Sequence, residues 1–358
     1  MEYDKIFNME QGIKLCTQVP PDVTDEFLTF LEQIGVKYVY AWFSEEQFNF
    51  KYLSEFKKRV NSHGIEVYNV GAVHMAKCLD IILGLEGRDA AIEMFNNNLK
   101  MLSEVGIHTT TFTWEPEGVW ASDWDYPTRG GALTRKCDLH VLERNGIVLG
   151  KKYTQIPIDQ KAFAETNLTH GRIYSREEMW KNYSYFIKKV IPSAEKYGIR
   201  LALHPNDPPV DSVAGVGCLI RSFDDYKRAF AIADSDFLGM EFCCGCWLET
   251  GNRFGDLFEA IKYFEEQKKI YLVHFRNVDA QLPCFVETFI DEGYGDMLEI
   301  MKAFYRAGYR GTVVLDHSPR MVEAAGAYGE TAYANGYIKA LMKCAEKLCS
   351  EERKQYDN

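Results

Sequence analysis

Four short stretches of this sequence end on side chains that bind metal ions or move protons. LALH ends on His204, GMEFC on Cys243, YLVH on His274, and VVLDH on Asp316 with His317. Each follows a run of β-branched, aromatic or aliphatic residues that reads as a strand. Two imidazoles, a thiolate and a carboxylate form a donor set for a divalent cation, and a set supplied from one side leaves coordination positions open for substrate. By softness the set suits Zn²⁺ or Fe²⁺, and Mn²⁺ is compatible where oxygens of water or substrate complete a larger shell. Cys244 and Cys246 are alternative thiol ligands. Cys243 is preferred because it stands just after the strand and before the turn-forming Gly245, on the strand face that also carries Glu241. His74, after the third strand, reads as pocket lining, and Arg276 and Asn277, which follow His274, as residues that orient substrate hydroxyls.

Side chains from four strands converge only if those strands stop at the same level. A recurring phrase provides this: a helical pattern ends near a glycine and a short strand-like run follows. The instances are IGVKYVYAW from Ile34, HGIEVYNV from His63, VGIHTTTF from Val105, YGIRLALH from Tyr197, FLGMEFC from Phe237, KKIYLVH from Lys268 and YRGTVVLDH from Tyr309, with GIKLCT from Gly12 as the first strand. Glycine suits the helix ends because it adopts the left-handed conformation without a Cβ clash. Thr24 is placed to cap the helix DEFLTFLEQ, and Ser175 with Glu178 forms a capping-box signature before the fifth strand.

Eight strands alternating with helices predict a parallel sheet that closes on itself. The expected fold is α/β: a single (β/α)₈ TIM barrel spanning 1–358, whose active site lies at the C-terminal ends of its strands. A doubly wound open sheet is the rival, but no G-x-G-x-x-G follows the first strand. Residues 114–174 break the rhythm after strand four, with Trp120, Trp124, Tyr126, Arg129 and Arg135, and are expected to form an insertion or lid over the active site. The charged end, 350–358, is expected to fray.

The composition narrows the function. Over 358 residues, 46% are hydrophobic and the net charge is −11, which fits a globular protein and disfavours nucleic acid or an anionic membrane surface as partner. No apolar run approaches a membrane span and the acidic beginning lacks a signal-peptide pattern, so the expected compartment is cytoplasmic. The ten cysteines then read as reduced thiols. The implied partner is a small molecule.

At these same residues the chain resembles the mannonate dehydratase family, in the xylose isomerase-like barrel superfamily. The resemblance is carried by LALHPNDPPV from Leu201, GVGCLIRS from Gly215, GMEFCCGC from Gly239, VHFRNV from Val273, FVETFIDEGYGDM from Phe285 and DHSPRM from Asp316. It has weaker echoes from Asn69 and from Trp120. It implies a Mn²⁺-dependent hydro-lyase with the metal on His204, Cys243, His274 and Asp316. That enzyme converts D-mannonate to 2-keto-3-deoxy-D-gluconate by loss of the C2 proton and the C3 hydroxyl. The resemblance also implies a homo-oligomer and proton transfer by His317 and a tyrosine, Tyr328, with Tyr333 as the competing choice.

The chain departs from the family where Val314 and Leu315 precede Asp316 in place of the usual Arg-Pro. Arg221, Arg276 or Arg320 is then expected to supply the grip on a substrate carboxylate. The missing arginine and the presence of Glu115 define an alternative, a metal-dependent sugar isomerase or epimerase on the same barrel.

Overall fold

The computed structural model describes residues 12–116, 119–145, 148–149 and 168–356. Strands β1 (Lys14–Gln18), β2 (Tyr38–Phe43), β3 (Glu66–Ala72) and β4 (Thr109–Thr113) form the first half of a sheet. Between them run helices α1 (Asp25–Gln33), α2 (Phe50–Ser62), the short α3 (Val73–Ala76) and α4 (Leu79–Leu83), and α5 (Arg88–Val105). After β4 come β5 (Trp120–Ala121), β6 (Asp123–Pro127), β7 (Leu133–Asp138), α6 (Leu139–Asn145) and β8 (Val148–Leu149).

The second half resumes with α7 (Arg176–Tyr197) and β9 (Arg200–His204). A small hairpin, β10 (Ser212–Val213) and β11 (Val216–Gly217), precedes α8 (Phe223–Ala233) and β12 (Leu238–Cys243). Then follow α9 (Cys244–Thr250), α10 (Leu257–Glu266), β13 (Ile270–His274), β14 (Cys284–Val286), α11 (Met297–Ala307), β15 (Thr312–Val314) and α12 (Gly326–Tyr356).

Eight strands close into a barrel in the order β1-β15-β13-β12-β9-β4-β3-β2, with parallel neighbours throughout. These are the eight strands expected from the glycine-punctuated phrase. Thr24 and Ser175 cap α1 and α7 through bonds from Phe27 N and Glu178 N. Gly106 and Gly198 end α5 and α7 at φ of +78° and +67°, so a side chain at either position would be strained. Outward residues such as Phe242 pack on the surrounding helices, where its ring stacks on Trp247. Inward residues make a polar interior: Asn69 Nδ2 donates to Thr111 Oγ1 at 2.7 Å, and Glu241 and Cys243 project inward from β12. No helix among the described residues is long and apolar enough to cross a membrane.

The excursion after β4 contains more order than its sequence suggests. Its β6 and β7 join β14, from the loop after β13, in a three-stranded sheet. Leu133 exchanges two backbone hydrogen bonds with Arg320, on the loop after β15. Within 114–174, residues 117–118, 146–147 and 150–167 lie outside the described residues, so the expected cover over the active site falls partly beyond them. The C-terminal segment expected to fray is helical to Tyr356, and 357–358 lie outside the described residues. Glu352 anchors it through a two-pronged ion pair with Arg306.

Candidate metal centre

Because parallel barrel strands all end on one side, β9, β12 and β13 deliver His204, Cys243 and His274 to the same level. Asp316 arrives two residues after β15. One ligand atom from each of the four lies within 4.8 Å of the others. The rings of His204 and His274 are 5.3 Å apart between centroids, and Cys243 Sγ is 3.7 Å from Asp316 Oδ2. His204, His274, Asp316 and His317 line a cavity of about 430 Å³, together with Gln18, Tyr40, Lys77, Glu115 and Glu241.

The protonation chemistry of the cluster suits a cation. Burial acts to raise the Cys243 thiol. A contact with Cys246, the Arg276 guanidinium and the two neighbouring imidazoles outweigh it and hold the thiol well below its ordinary range. Burial likewise opposes ionisation of Asp316, but His274, His317 and Arg276 keep its carboxyl well below the usual value. Both candidate anionic ligands are therefore in the form a metal requires. Burial would lower His204, yet the neighbouring Cys243 sulfur lifts it to about 9, as expected of an imidazole in a pocket that attracts positive charge. His204 Nδ1 lies 2.7 Å from the Pro205 carbonyl, which can only accept. In the neutral form that binds a metal, its one proton therefore sits on Nδ1 and leaves Nε2 to face an ion.

Cys246 and Cys244 are not in this cluster. Cys246 forms a second acidic group with Asp207 and Glu249, but Arg276 already occupies it. Arg276 Nη2 donates to Asp207 at 2.7 Å and to Cys246 Sγ at 3.6 Å, while Nη1 is 2.8 Å from Glu249. Nε of the same guanidinium donates to Asp316 Oδ2 at 2.8 Å. Gly245 makes room for it, since a Cβ there would come within 2.2 Å of the guanidinium carbon. Arg135 completes the network from β7, donating to Asp207 at 2.6 Å, Glu287 at 2.9 Å and the Trp120 carbonyl at 2.7 Å. Glu287 in turn lies 2.8 Å from His317 Nδ1.

Both guanidiniums are 1% exposed. Replacing one by an apolar side chain strands buried carboxylates, and Arg135→Met is expected to destabilise the fold by about 3–5 kcal/mol. Urea denaturation measures this directly, and a loss below about 1 kcal/mol would contradict the role given to the network.

The other residues singled out in the sequence go elsewhere. Arg276 positions Asp316 instead of facing substrate. Asn277 is buried and braces a turn, donating to the Gly295 carbonyl and accepting from Gly295 N and Val278 N. Arg320 pairs with Asp125 on the exposed side of the insertion, and Arg221 pairs with Asp211. His74 packs edge-on against Phe48, and its neighbours Val73 and Lys77 line the cavity in its place. Tyr328 is exposed and packs edge-on against Phe27 and Phe30 of α1, away from the cluster. Tyr333 accepts a hydrogen bond from Arg129.

Two further residues line the cavity without having stood out in the sequence: Lys77, whose Nζ is 2.5 Å from Glu115 Oε1, and Glu241, which is 1% exposed. A carboxylate within the apolar run GMEFCCGC was the available signal for the second.

The family model for D-mannonate dehydratase (UxuA) matches residues 27–352. The mannonate dehydratase of Thermotoga maritima is 26% identical over 324 residues, covering 85% of this chain and 88% of its own length. Mannonate dehydratase 2 of Halalkalibacterium halodurans is 28% identical over 275 residues, covering 74% and 77%. The crystal structure of mannonate dehydratase from Streptococcus suis serotype 2 superposes with a TM-score of 0.78 at 24% identity, covering 94% of this chain and 96% of that one, which shows a common fold.

Proposed function

The chain belongs to the D-mannonate dehydratase family, a family of hydro-lyases, and from that membership we propose that it dehydrates D-mannonate to 2-keto-3-deoxy-D-gluconate at a divalent metal centre. The observation that carries this reading is the convergence of His204, Cys243, His274 and Asp316 at the mouth of the barrel, with His317 beside them in the same cavity. The proposed metal is Mn²⁺. When bound, it supplies positive charge beside the carboxylate and C2 hydroxyl, where negative charge collects as the C2 proton leaves.

The chain's own residues then have separate tasks. Arg276 fixes the Asp316 carboxylate from behind. An ionised Glu287 can only accept, so it holds a proton on His317 Nδ1 and fixes that ring for proton transfer at the C2–C3 bond. Lys77 and Glu115 offer a donor and an acceptor to the remaining hydroxyls of the substrate.

Incubation of the protein with D-mannonate and Mn²⁺, followed by detection of a 2-keto-3-deoxy acid, tests the assignment. Interconversion of neutral ketoses with no such product would transfer the site to the isomerase and epimerase class. Tyr328 is given no part in the chemistry. Its removal is the change of an exposed hydroxyl, and Tyr328→Phe is expected to leave kcat within about twofold of the parent. A large drop in kcat for that variant would restore the tyrosine as the second proton-transfer group.

A further inference from the structure

Glu241 has no explanation in the ligand set. Its carboxylate projects into the barrel from β12, on the same strand face as Cys243, and both oxygens are buried without a hydrogen-bond partner. Such a group is costly in a protein interior unless a cation or a donor faces it. The nearby phenol is already committed, since Tyr40 donates to Gln18 at 2.9 Å.

What does face Glu241 is His274. Nε2 of that ring stands 2.5 Å from Glu241 Oε1, and Nδ1 stands 3.2 Å from Asp316 Oδ1. These are contact distances without hydrogen-bond alignment, and both ring nitrogens are buried without a hydrogen-bond partner. The ring therefore has one nitrogen toward the metal cluster and the other toward a carboxylate that can only accept.

We infer that Glu241 is a positioning residue for the metal centre: it receives the proton of His274 Nε2 and thereby turns the lone pair of Nδ1 toward the ion. This rests on the metal reading above and adds to it. His204 shows the same device in the opposite sense, its Nδ1 proton held by the Pro205 carbonyl while Nε2 is left for the ion. The two imidazoles would thus bind through different nitrogens, each fixed by its own acceptor. Glu241 also adds negative charge behind a ligand, which strengthens the hold on a cation.

Equilibrium binding of Mn²⁺ to the full-length protein, measured without substrate, tests this. Glu241→Met, which removes the acceptor, is expected to weaken Mn²⁺ binding by about 10–100-fold. Glu241→Gln keeps an oxygen that accepts, and should recover part of that loss. An unchanged Kd in Glu241→Met would overturn the inference. A second measurement needs no variant: nitrogen NMR of histidine in the Zn²⁺-loaded protein should show His274 protonated on Nε2, and protonation on Nδ1 would overturn it. So would an anomalous-scattering map with a Glu241 oxygen bonded directly to the ion. A wild-type protein that takes up no divalent metal removes the centre itself. Normal uptake with an indifferent Glu241→Met removes this inference alone.

Discussion

Treatment with a chelator is expected to reduce dehydration of D-mannonate by on the order of 10³-fold or more, with recovery when Mn²⁺ is returned. The size follows from the chemistry: charge stabilisation by a metal ion contributes several kcal/mol at the transition state, and each 1.36 kcal/mol is a factor of ten. The structure adds a sharper version. Cys243 is the proposed ligand whose sulfur is held as thiolate by Arg276 and two imidazoles, among other neighbours. Cys243→Ser replaces it with a hydroxyl that stays protonated at neutral pH, so this variant should need far more Mn²⁺ for half-maximal activity. Cys244→Ala, which removes a thiol outside the cluster, should leave the Mn²⁺ requirement unchanged. Metal titrations of activity separate the two, and a Cys243→Ser protein with the parental Mn²⁺ requirement would remove the sulfur from the ligand set.

The second large effect concerns His317. It lies outside the ligand group, with Nε2 3.3 Å from Asp316 Oδ1, Nδ1 against Glu287, and its ring on the cavity wall. His317→Gln is therefore expected to reduce kcat by about 10²–10⁴-fold, the usual contribution of a positioned acid or base, while Mn²⁺ binding changes little. Both quantities are needed. Loss of metal together with loss of turnover would make His317 a structural support of the centre, and turnover within about threefold of the parent would remove it from proton transfer altogether.

The barrel and the convergence of the four candidate ligands were legible in the sequence for a topological reason. In a closed parallel sheet the ends of all strands share one rim, so residues that terminate strands become neighbours whatever the helices between them do. The tasks of long side chains were not legible in the same way. Arg276 and Arg320 looked available for a substrate carboxylate, but each is taken by carboxylates that arrive from elsewhere, Asp316 and Asp207 for one and Asp125 for the other. Nothing at 276 or 320 reveals those partners.

The surroundings of Tyr328 were hidden for a related reason. The resemblance implies a proton-transfer role for it, whereas Phe27 and Phe30 on the surface of α1 hold its ring. The order within 114–174 was hidden because β7 pairs with β14, far away in the chain, and no local periodicity encodes a partner that distant.

Arg135 gives the excursion after β4 a different status from a detachable flap. Its guanidinium satisfies Asp207 and Glu287, and Glu287 steadies His317, so a strand remote in sequence from the reacting groups balances the charge that surrounds them. Trimming that segment to obtain a minimal scaffold would strip counter-ions from the rim that carries the candidate site. Any re-engineering of the rim must therefore carry β7 along with it.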